Sequence, residues 1–294
     1  MTDMNSFPTI VLRIPFFATT ALVPGLRPHN KWSVKQAFMT RLGYRILDLT
    51  SRVGITERLT LQPRKEGKRF HLVKPVTIGG TWYPEAPGVG NTPKTVFLYF
   101  HGGAFIAGDG RDATCAPIAK KLLDKGGADV VFSVQYRLSG YGGVNPFPAA
   151  LQDALSSYLY LLHESEIPAS HIVVAGDSSG GNLTMALLLY LHNFGTTTQI
   201  PTPRAAVLIS PWVAPFHYDM RDNPHRGTDF IPATYSFWVQ GQWADEMRSI
   251  QGNEVEVYHE QDAVHDTFLS AEPLGFETSA WEVAQKIAEF VSKH

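Results

Sequence analysis

The sequence predicts an α/β fold with one mostly parallel central sheet flanked by helices. Apolar runs rich in Val, Ile, Leu and Phe alternate with helical patterns from about residue 69 onward. Several runs are almost continuously apolar, as strands buried on both faces must be. The predicted strands are Arg69–Lys74, Thr95–Phe100, Asp129–Tyr136, His171–Ala175, Ala205–Ile209 and Glu254–Tyr258. The predicted helices are Trp32–Val53, Ala113–Lys125, Ala149–Glu164, Gly180–Asn193 and Trp281–Val291, the last beginning with a Ser279-x-x-Glu282 capping box.

The composition is that of a globular protein. Of 294 residues, 44% are hydrophobic, 12% aromatic and 18% charged, which argues against disorder. The net charge is −2 and no block of like charge occurs, so no nucleic-acid partner is indicated. The single cysteine, Cys115, excludes an internal disulfide framework and a multi-cysteine zinc site. No His-Glu-x-x-His spacing occurs either, and we expect no cofactor or metal.

An apolar segment at residues 8–25 raises the question of membrane insertion. It contains Arg13 and three prolines, Pro8, Pro15 and Pro24. A spanning helix needs about 20 apolar residues without such breakers, and a signal peptide carries its charge ahead of the apolar run. We therefore expect a cytoplasmic protein without stable membrane insertion. The segment is interpreted either as part of a lid or as a weak membrane-surface contact.

Two stretches do not follow the α/β alternation. One is the first 60 or so residues, and the other is the aromatic-rich stretch from Trp212 to about Arg248. Ordinary core packing explains these aromatics as well as a lid does. A lid would lie over the carboxyl edge of the sheet, where α/β proteins bind ligands. The predicted division is an N-terminal lid at 1–60, a core at 61–212 and 250–294, and a second lid at 213–249.

A Gly-x-Ser-x-Gly motif, Gly176-Asp-Ser-Ser-Gly180, stands between a predicted strand and a predicted helix. This context is typical of a nucleophile elbow, a sharp turn that presents a serine oxygen above the sheet. The start of the helix adds free N–H groups and a field that favours negative charge. Ser178 is therefore the candidate nucleophile, and a serine in an ordinary tight turn is the alternative. A chymotrypsin-like protease is excluded by the single cysteine and the α/β alternation.

A second glycine-rich motif, Phe100-His-Gly-Gly-Ala-Phe105, ends the predicted strand Thr95–Phe100. Acyl transfer needs N–H donors aimed at the oxygen that becomes negative, and a loop of this kind supplies them. Its position upstream of the serine motif is the order that such an enzyme requires. An ordinary glycine turn is the weaker explanation.

Together these motifs resemble the hormone-sensitive-lipase-like (GDXG) family of α/β-hydrolases. HGGAF is similar to the family's His-Gly-Gly-Gly loop, and GDSSGGNL is similar to its elbow. Tyr136-Arg-Leu138 with Asn145–Ala150 resembles the family's stretch between one strand and the next helix, and Ser210-Pro-Trp212 the end of the strand after the elbow helix. The resemblance implies an α/β-hydrolase fold whose lid comes from the N-terminus and from the segment after Ser210. It also implies a serine carboxylesterase or lipase without a cofactor.

The resemblance also implies an oxyanion hole. It assigns Gly102, Gly103, Ala104 and Ser179 to the hole. The N–H groups would come from Gly103, Ala104 and Ser179, with His101 and Gly102 shaping the loop. Ala104 stands where the family has a third glycine. The hole is retained provided that the backbone at Ala104 does not require a positive φ.

The catalytic base is expected late in the chain, because α/β-hydrolases run in the order serine, acid, histidine. His265, predicted to lie in a loop just after Glu254–Tyr258, resembles the family's late histidine. A solvated loop histidine without a catalytic role is the alternative. Arg137 and Asp153 are interpreted as an interior ion pair or cap rather than as catalytic groups.

The triad acid is not identified by the sequence. A parallel crossover needs about a dozen residues, so the acid-bearing strand should end within Thr234–Gln242 or earlier. That window holds no carboxylate, and Asp229 and Asp245 are weak candidates. We therefore hypothesise that a strand, its acid and a helix have been lost at about Arg248–Gly252.

Two functions remain open on this sequence. The first is hydrolysis of a small-molecule ester that carries an apolar short-to-medium acyl group or a ring, as the aromatic-rich lid suggests. The second is a non-catalytic ligand-binding pseudo-hydrolase, which an incomplete triad would leave. The sequence does not indicate the oligomeric state.

Overall fold

The computed structural model describes residues 7–53, 59–88, 90–139, 144–213, 254–258, 260 and 264–294. The chain divides into two compact units. The first unit comprises Met1–Ile55 and Val213–Ala280, and the second comprises Thr56–Trp212 and Trp281–His294.

The second unit is built on a six-stranded sheet in the order β1-β2-β4-β3-β5-β6. The strands β3, β4, β5 and β6 run parallel, while β1 and β2 form a hairpin that joins β4 in antiparallel pairing. The mostly parallel sheet of the predicted fold is thereby confirmed. The strands are β1 Phe70–Val73, β2 Ile78–Tyr83, β3 Val96–Phe100, β4 Val130–Gln135, β5 Ile172–Asp177 and β6 Ala205–Ile209.

Helices connect the parallel strands, as the alternating pattern predicted. α3 spans Asp112–Asp124, α4 spans Ala149–Leu159 and continues as one π-helical turn over Tyr160–Glu164, and α5 spans Ser179–Thr198. Each lies within a few residues of its predicted position. Single 3-10 turns at Gly67–Arg69 and Ala169–His171 lead into β1 and β5.

β3 and β5 form the centre of the core. Every residue of both strands is buried, because helices cover the two faces of a parallel sheet. β2, in contrast, was not predicted. Its sequence, IGGTWY, contains two glycines that admit rings from the neighbouring strands. A Cβ atom at Gly79 would lie 2.0 Å from the Phe70 ring, and one at Gly80 would lie 2.1 Å from the Phe132 ring.

The predicted interior ion pair between Arg137 and Asp153 is confirmed. The Asp153 side chain is completely buried, and its Oδ1 accepts a hydrogen bond from Nη2 of Arg137 at 2.8 Å. Its Oδ2 accepts the backbone N–H of Arg137 at 2.7 Å. The pair therefore joins the chain leaving β4 to the first turns of α4.

The first unit contains the N-terminal helices α1 Phe7–Leu22 and α2 Val34–Val53, with a 3-10 turn at Pro24–Leu26 between them. A reciprocal capping box begins α2, in which Ser33 Oγ accepts the N–H of Gln36 and Gln36 Oε1 accepts the N–H of Ser33. α6 spans Thr267–Leu274 and α7 spans Glu277–Lys293. The division between the two units falls within α7, after Ala280. Among the described residues, no helix is long and apolar enough to cross a membrane.

The residues from 250 to 280 were predicted to belong to the core, but they cluster with the N-terminal helices in the first unit. The reason is a shared apolar cluster. Buried side chains of the first two helices and of the segment around α6 pack together in it: Ala21, Trp32, Ala37, Val264, Leu274 and Phe276. The assignment of 1–60 and 213–249 as lids stays a prediction.

Two local predictions for this part of the chain are wrong. Glu254–Tyr258 is not a strand: Val257 and Tyr258 are exposed, and none of the described residues pairs with them. Ser279 does not begin a helix, because α7 starts at Glu277 and the Ser279 hydroxyl donates to the carboxylate of Glu260 instead.

The predictions about the second lid fall mostly outside the described residues. Of 213–249, only Val213 is described. The window Thr234–Gln242 and the junction at Arg248–Gly252, where a segment was hypothesised to be missing, lie outside the described residues as well.

Candidate active site

Ser178 occupies a tight turn between β5 and α5, in the strand–turn–helix context that the motif predicted. Its backbone has φ 49° and ψ −115°, a conformation that residues with a side chain rarely adopt. Its N–H donates to the carbonyl of Ile209 at 2.9 Å. Its own carbonyl accepts the N–H groups of Asn182 at 3.1 Å and Trp212 at 2.9 Å. The hydroxyl is partly exposed and makes no hydrogen bond to any residue that the structure describes.

The glycines around Ser178 are required by close backbone contacts. A Cβ atom at Gly180 would lie 1.9 Å from the carbonyl oxygen of Phe100, the last residue of β3. A Cβ atom at Gly176 would lie 2.3 Å from the carbonyl oxygen of Gly180. The first turn of α5 therefore lies directly against the end of β3, where the HGGA loop begins.

The HGGA loop has three consecutive residues with positive φ: Gly103 at 111°, Ala104 at 54° and Phe105 at 62°. Ala104 therefore does adopt a positive φ, and the consequence is strain at its Cβ atom rather than loss of its N–H group. A residue with a Cβ atom in the left-handed region is strained by about 1 kcal/mol. Two hydrogen bonds hold the loop in this shape, from the N–H groups of Ile106 and Ala107 to the carbonyl of Gly103, both at 3.0 Å.

The residues assigned to the oxyanion hole differ in whether their backbone N–H group already has an acceptor. The N–H of Gly102 is already used, since it donates to Oδ1 of Asp177 at 2.8 Å. The N–H groups of Gly103, Ala104 and Ser179 donate to no other residue within the described part of the chain. Ser179 is the first residue of α5, and helix N-termini leave such donors without a partner in the helix. Three donors are therefore available, and Gly102 positions the loop that carries two of them.

Asp177 was not singled out by the sequence analysis. Its side chain is completely buried, and Oδ1 accepts the hydroxyl of Tyr99 at 2.5 Å as well as the N–H of Gly102. One carboxylate oxygen therefore joins β3, the HGGA loop and the residue before Ser178. The sequence did contain a signal for this role, because Asp177 is a charged residue at the end of an apolar run. Burial of a charge without partners is costly, so hydrogen-bond partners for its carboxylate could have been expected.

His101 and Tyr136 support the same loop from inside. Their rings stack with centroids 4.3 Å apart and an interplanar angle of 14°. The Tyr136 hydroxyl donates to the carbonyl of His101 at 2.6 Å, and burial raises the pKa of Tyr136. The pair agrees with the expectation that His101 shapes the loop.

Aromatic rings stand beside the turn. The Phe105 ring lies 6.2 Å from the Tyr136 ring and 6.4 Å from the Trp212 ring, measured between centroids. Trp212 is held through its backbone, because its carbonyl accepts Nδ2 of Asn182 at 2.7 Å. The second unit therefore has an apolar surface close to the serine motif.

His265 belongs to the first unit, whereas Ser178 belongs to the second. It lies in the turn before α6 and is only 5% exposed, so the alternative of a solvated loop histidine is wrong. Burial lowers its pKa from the ordinary value of 6.5 to about 3. A general base works best with a pKa near the working pH, and this environment does not provide one.

The acid candidates Asp229 and Asp245 lie outside the described residues. In the first unit, the described carboxylate of Glu260 accepts the hydroxyl groups of Thr267 and Ser279. No group of three or more His, Cys, Asp or Glu side chains in the described ranges is arranged to hold a metal ion.

Comparison with protein families gives a match to the α/β-hydrolase fold family over residues 97–250. The matched region begins in β3 and contains both glycine-rich motifs. It ends at residue 250, within the junction Arg248–Gly252.

Three characterised proteins are similar over parts of this chain. An acetyl-hydrolase of Streptomyces hygroscopicus is 37% identical over 140 residues, which cover 47% of this chain and 42% of that protein. The esterase LipI of Mycobacterium tuberculosis is 37% identical over 39% of this chain and 34% of its own length. Human hormone-sensitive lipase is 28% identical over 42% of this chain and 11% of its own length. The matches therefore span less than half of each relative.

Solved structures show the same fold. A hormone-sensitive lipase from a metagenome library superposes with a TM-score of 0.60 at 22% identity, covering 86% of this chain and 98% of that one. The hyperthermophilic esterase from the archaeon Pyrobaculum calidifontis gives a TM-score of 0.59 at 18% identity, covering 75% and 84%.

Proposed function

Because this chain belongs to the α/β-hydrolase fold family, and within it resembles the hormone-sensitive-lipase-like proteins, we propose that it hydrolyses carboxylic esters with Ser178 as the nucleophile. One observation carries the proposal. The turn at Ser178 is strained and leaves its hydroxyl partly exposed beside a loop with unused N–H groups. Strained backbone of this kind is concentrated at functional sites.

The reaction would proceed in two halves. The Ser178 oxygen attacks the ester carbonyl carbon, its proton passes to a base, and the alcohol leaves with that proton as the carbon–oxygen bond breaks. Water then attacks the acyl-enzyme, releases the carboxylic acid and returns the proton to Ser178. The N–H groups of Gly103, Ala104 and Ser179 would stabilise the negative oxygen in both halves.

We assign the role of base to His265, on the family resemblance. Burial lowers the pKa of this imidazole to about 3, which disfavours uptake of the serine proton in this environment. For the substrate we propose an ester with an apolar short-to-medium acyl group or a ring, because Phe105 and Trp212 supply an apolar surface near Ser178. A cytoplasmic location is part of the same proposal.

The buried His265 also favours a second candidate function. A protein that keeps the ester-binding surface but lacks an activated base would bind its ligand without turnover. The acid that would orient His265 is not among the identified residues, so this pseudo-hydrolase is the competing explanation.

A p-nitrophenyl butyrate assay separates the two candidates. We expect turnover by the unaltered chain and its loss in Ser178→Ala, with Ser292→Ala, a serine near the end of α7, as a matched control. A fluorophosphonate probe should label Ser178 covalently if its hydroxyl is activated. Folded protein without Ser178-dependent turnover or labelling, but with saturable binding of a butyramide analogue, would establish the non-catalytic function instead.

A further inference from the structure

α1 and the turn after it carry an exposed apolar face in the first unit. Leu12 is 77% exposed, Phe16 63% and Leu22 65%. Val11, Val23 and Leu26 are also exposed. The opposite face of α1 is buried through Phe17 and Ala21, so the helix is apolar on both its inner and its outer side.

The polar groups of this segment are satisfied internally. The Thr19 hydroxyl, the polar group on the outer face, donates to the carbonyl of Pro15 at 2.8 Å. At the end of the segment, Nε of Arg27 donates to the carbonyl of Ala21 at 2.8 Å, and Nη2 of Arg41 donates to the carbonyl of Leu26 at 2.5 Å. Backbone and hydroxyl groups that already have partners can leave water at little cost.

The charged residues in the sequence that forms this face are all positive. Residues 11–47 contain none of the chain's 27 Asp and Glu residues, although the whole chain has a net charge of −2. Lys35 forms an ion pair with Glu277 at 3.1 Å. The cations of this stretch are Arg13, Arg27, Lys31, Lys35, Arg41 and Arg45.

We propose that α1 docks this protein on an anionic lipid surface. The outer face of α1 enters the boundary between headgroups and acyl chains, and the Arg13 and Arg45 side chains bind lipid phosphates and carboxylates. The helix lies on the surface and does not span it. Of the two interpretations that the sequence left open for residues 8–25, the structure favours the membrane-surface contact.

Charge decides between a lipid surface and a second copy of the chain as the occupant. A dimer formed through this face would bring two copies of this cation-rich stretch together, and like charges at an interface oppose association. An anionic surface gains from the same charges.

The test is co-sedimentation of the full chain with vesicles. We expect binding to phosphatidylcholine vesicles that contain about one-third phosphatidylserine, weaker binding to pure phosphatidylcholine, and a loss of binding at high salt. The double variant Leu12→Ser/Phe16→Ser should partition about tenfold more weakly. Its matched control is Leu189→Ser/Phe194→Ser, which removes the same two residue types from exposed positions on α5 and should bind normally.

A second variant, which removes charge, tests the proposal if Leu12→Ser/Phe16→Ser folds poorly. Arg13→Gln/Arg45→Gln should weaken binding to anionic vesicles, whereas Lys74→Gln/Lys94→Gln, at exposed positions in the second unit, should not. Ser178→Ala should bind vesicles like the unaltered chain, so this test does not depend on ester hydrolysis.

Three results would overturn the proposal. One is the absence of binding to anionic vesicles. Another is equal binding by the Leu12→Ser/Phe16→Ser variant and the unaltered chain. The third is a lipid-free dimer that the same variant dissociates, because it would assign the face to a second copy.

Discussion

The carboxylate of Asp177 accepts the backbone N–H of Gly102 at 2.8 Å, although the two residues are 75 positions apart in the chain. This hydrogen bond fixes the start of the HGGA loop relative to the residue that precedes Ser178. Oxyanion stabilisation depends on donor positions set before the reaction, so under the proposed function this buried bond would position the donors without touching the substrate.

Removal of this acceptor should lower turnover. We expect Asp177→Ala to reduce kcat for p-nitrophenyl butyrate by about 10²-fold with little change in KM, because displaced donors weaken binding of the transition state most. Tyr99→Phe removes only the other bond to the same oxygen and should cost less. Asp177→Asn keeps an oxygen acceptor and should restore much of the activity. Equal losses in the Asn and Ala variants, with unchanged melting temperatures, would contradict this role.

Gly180→Ala should destabilise the second unit strongly. The new Cβ atom would lie 1.9 Å from the carbonyl oxygen of Phe100, and backbone on both sides leaves no flexible side chain to move away. We expect a loss of about 2–4 kcal/mol in the free energy of unfolding, measured by denaturant titration. Gly88→Ala is the control, because nothing lies within 4 Å of its Cβ position. Similar stabilities for the two variants would show that the close contact at Gly180 is wrong.

Ala104→Gly should leave stability equal to or up to about 1 kcal/mol above that of the unaltered chain. Glycine relieves the strain at φ 54°, although it adds conformational freedom to the unfolded chain. Ala104→Val should be destabilising, since a β-branched side chain tolerates positive φ poorly. Thermal melting of the unaltered chain and of the two variants ranks their stabilities. A valine variant as stable as the glycine variant would exclude a left-handed Ala104.

The burial of His265 makes stability depend on pH. Burial lowers its pKa to about 3, whereas an unfolded histidine titrates near 6.5. Between these values the unfolded chain binds a proton that the folded chain does not, so folding stability falls as the pH is lowered from about 6.5 towards about 3. The slope for one such group is at most about 1.4 kcal/mol per pH unit.

His265→Gln should flatten this part of the curve. The measurement is hydrogen exchange of α6 across the pH range, because that helix begins two residues after His265. The two proteins are compared at the same pH values, so contributions common to both cancel in the difference. Parallel curves for the two proteins would mean that His265 is accessible to protons in the folded state.

The sequence predicted the second unit well because its signals are local and strong. The five strands and four helices predicted within this unit lie near their expected positions, and the turn at Ser178 has the expected strand before it and helix after it. β2 was missed because its glycines make room for the rings of Phe70 and Phe132, and such contacts between strands leave no apolar periodicity in the strand itself.

The failures in the first unit have a different cause. Glu254–Tyr258 has the alternating valines of a strand, but the segment is not a strand in the structure, because strand propensity depends on packing against a neighbouring strand. In the second unit, the role of Asp177 was missed for a related reason, since it depends on Tyr99 and Gly102, which are distant in the sequence. The burial of His265 follows from packing between segments that are distant in the chain, which no local pattern reports.

Both polar groups of the Trp212 backbone are committed to the turn at Ser178, its N–H to the carbonyl of Ser178 and its carbonyl to Asn182. Trp212 is also the last residue of the second unit before the chain enters the first. The position at which the chain leaves the second unit is therefore held by hydrogen bonds to the turn at Ser178 and to Asn182. The turn at Ser178 can therefore keep its geometry when residues after Trp212 are exchanged, so the segment that follows is able to diverge in evolution without disturbing the serine motif.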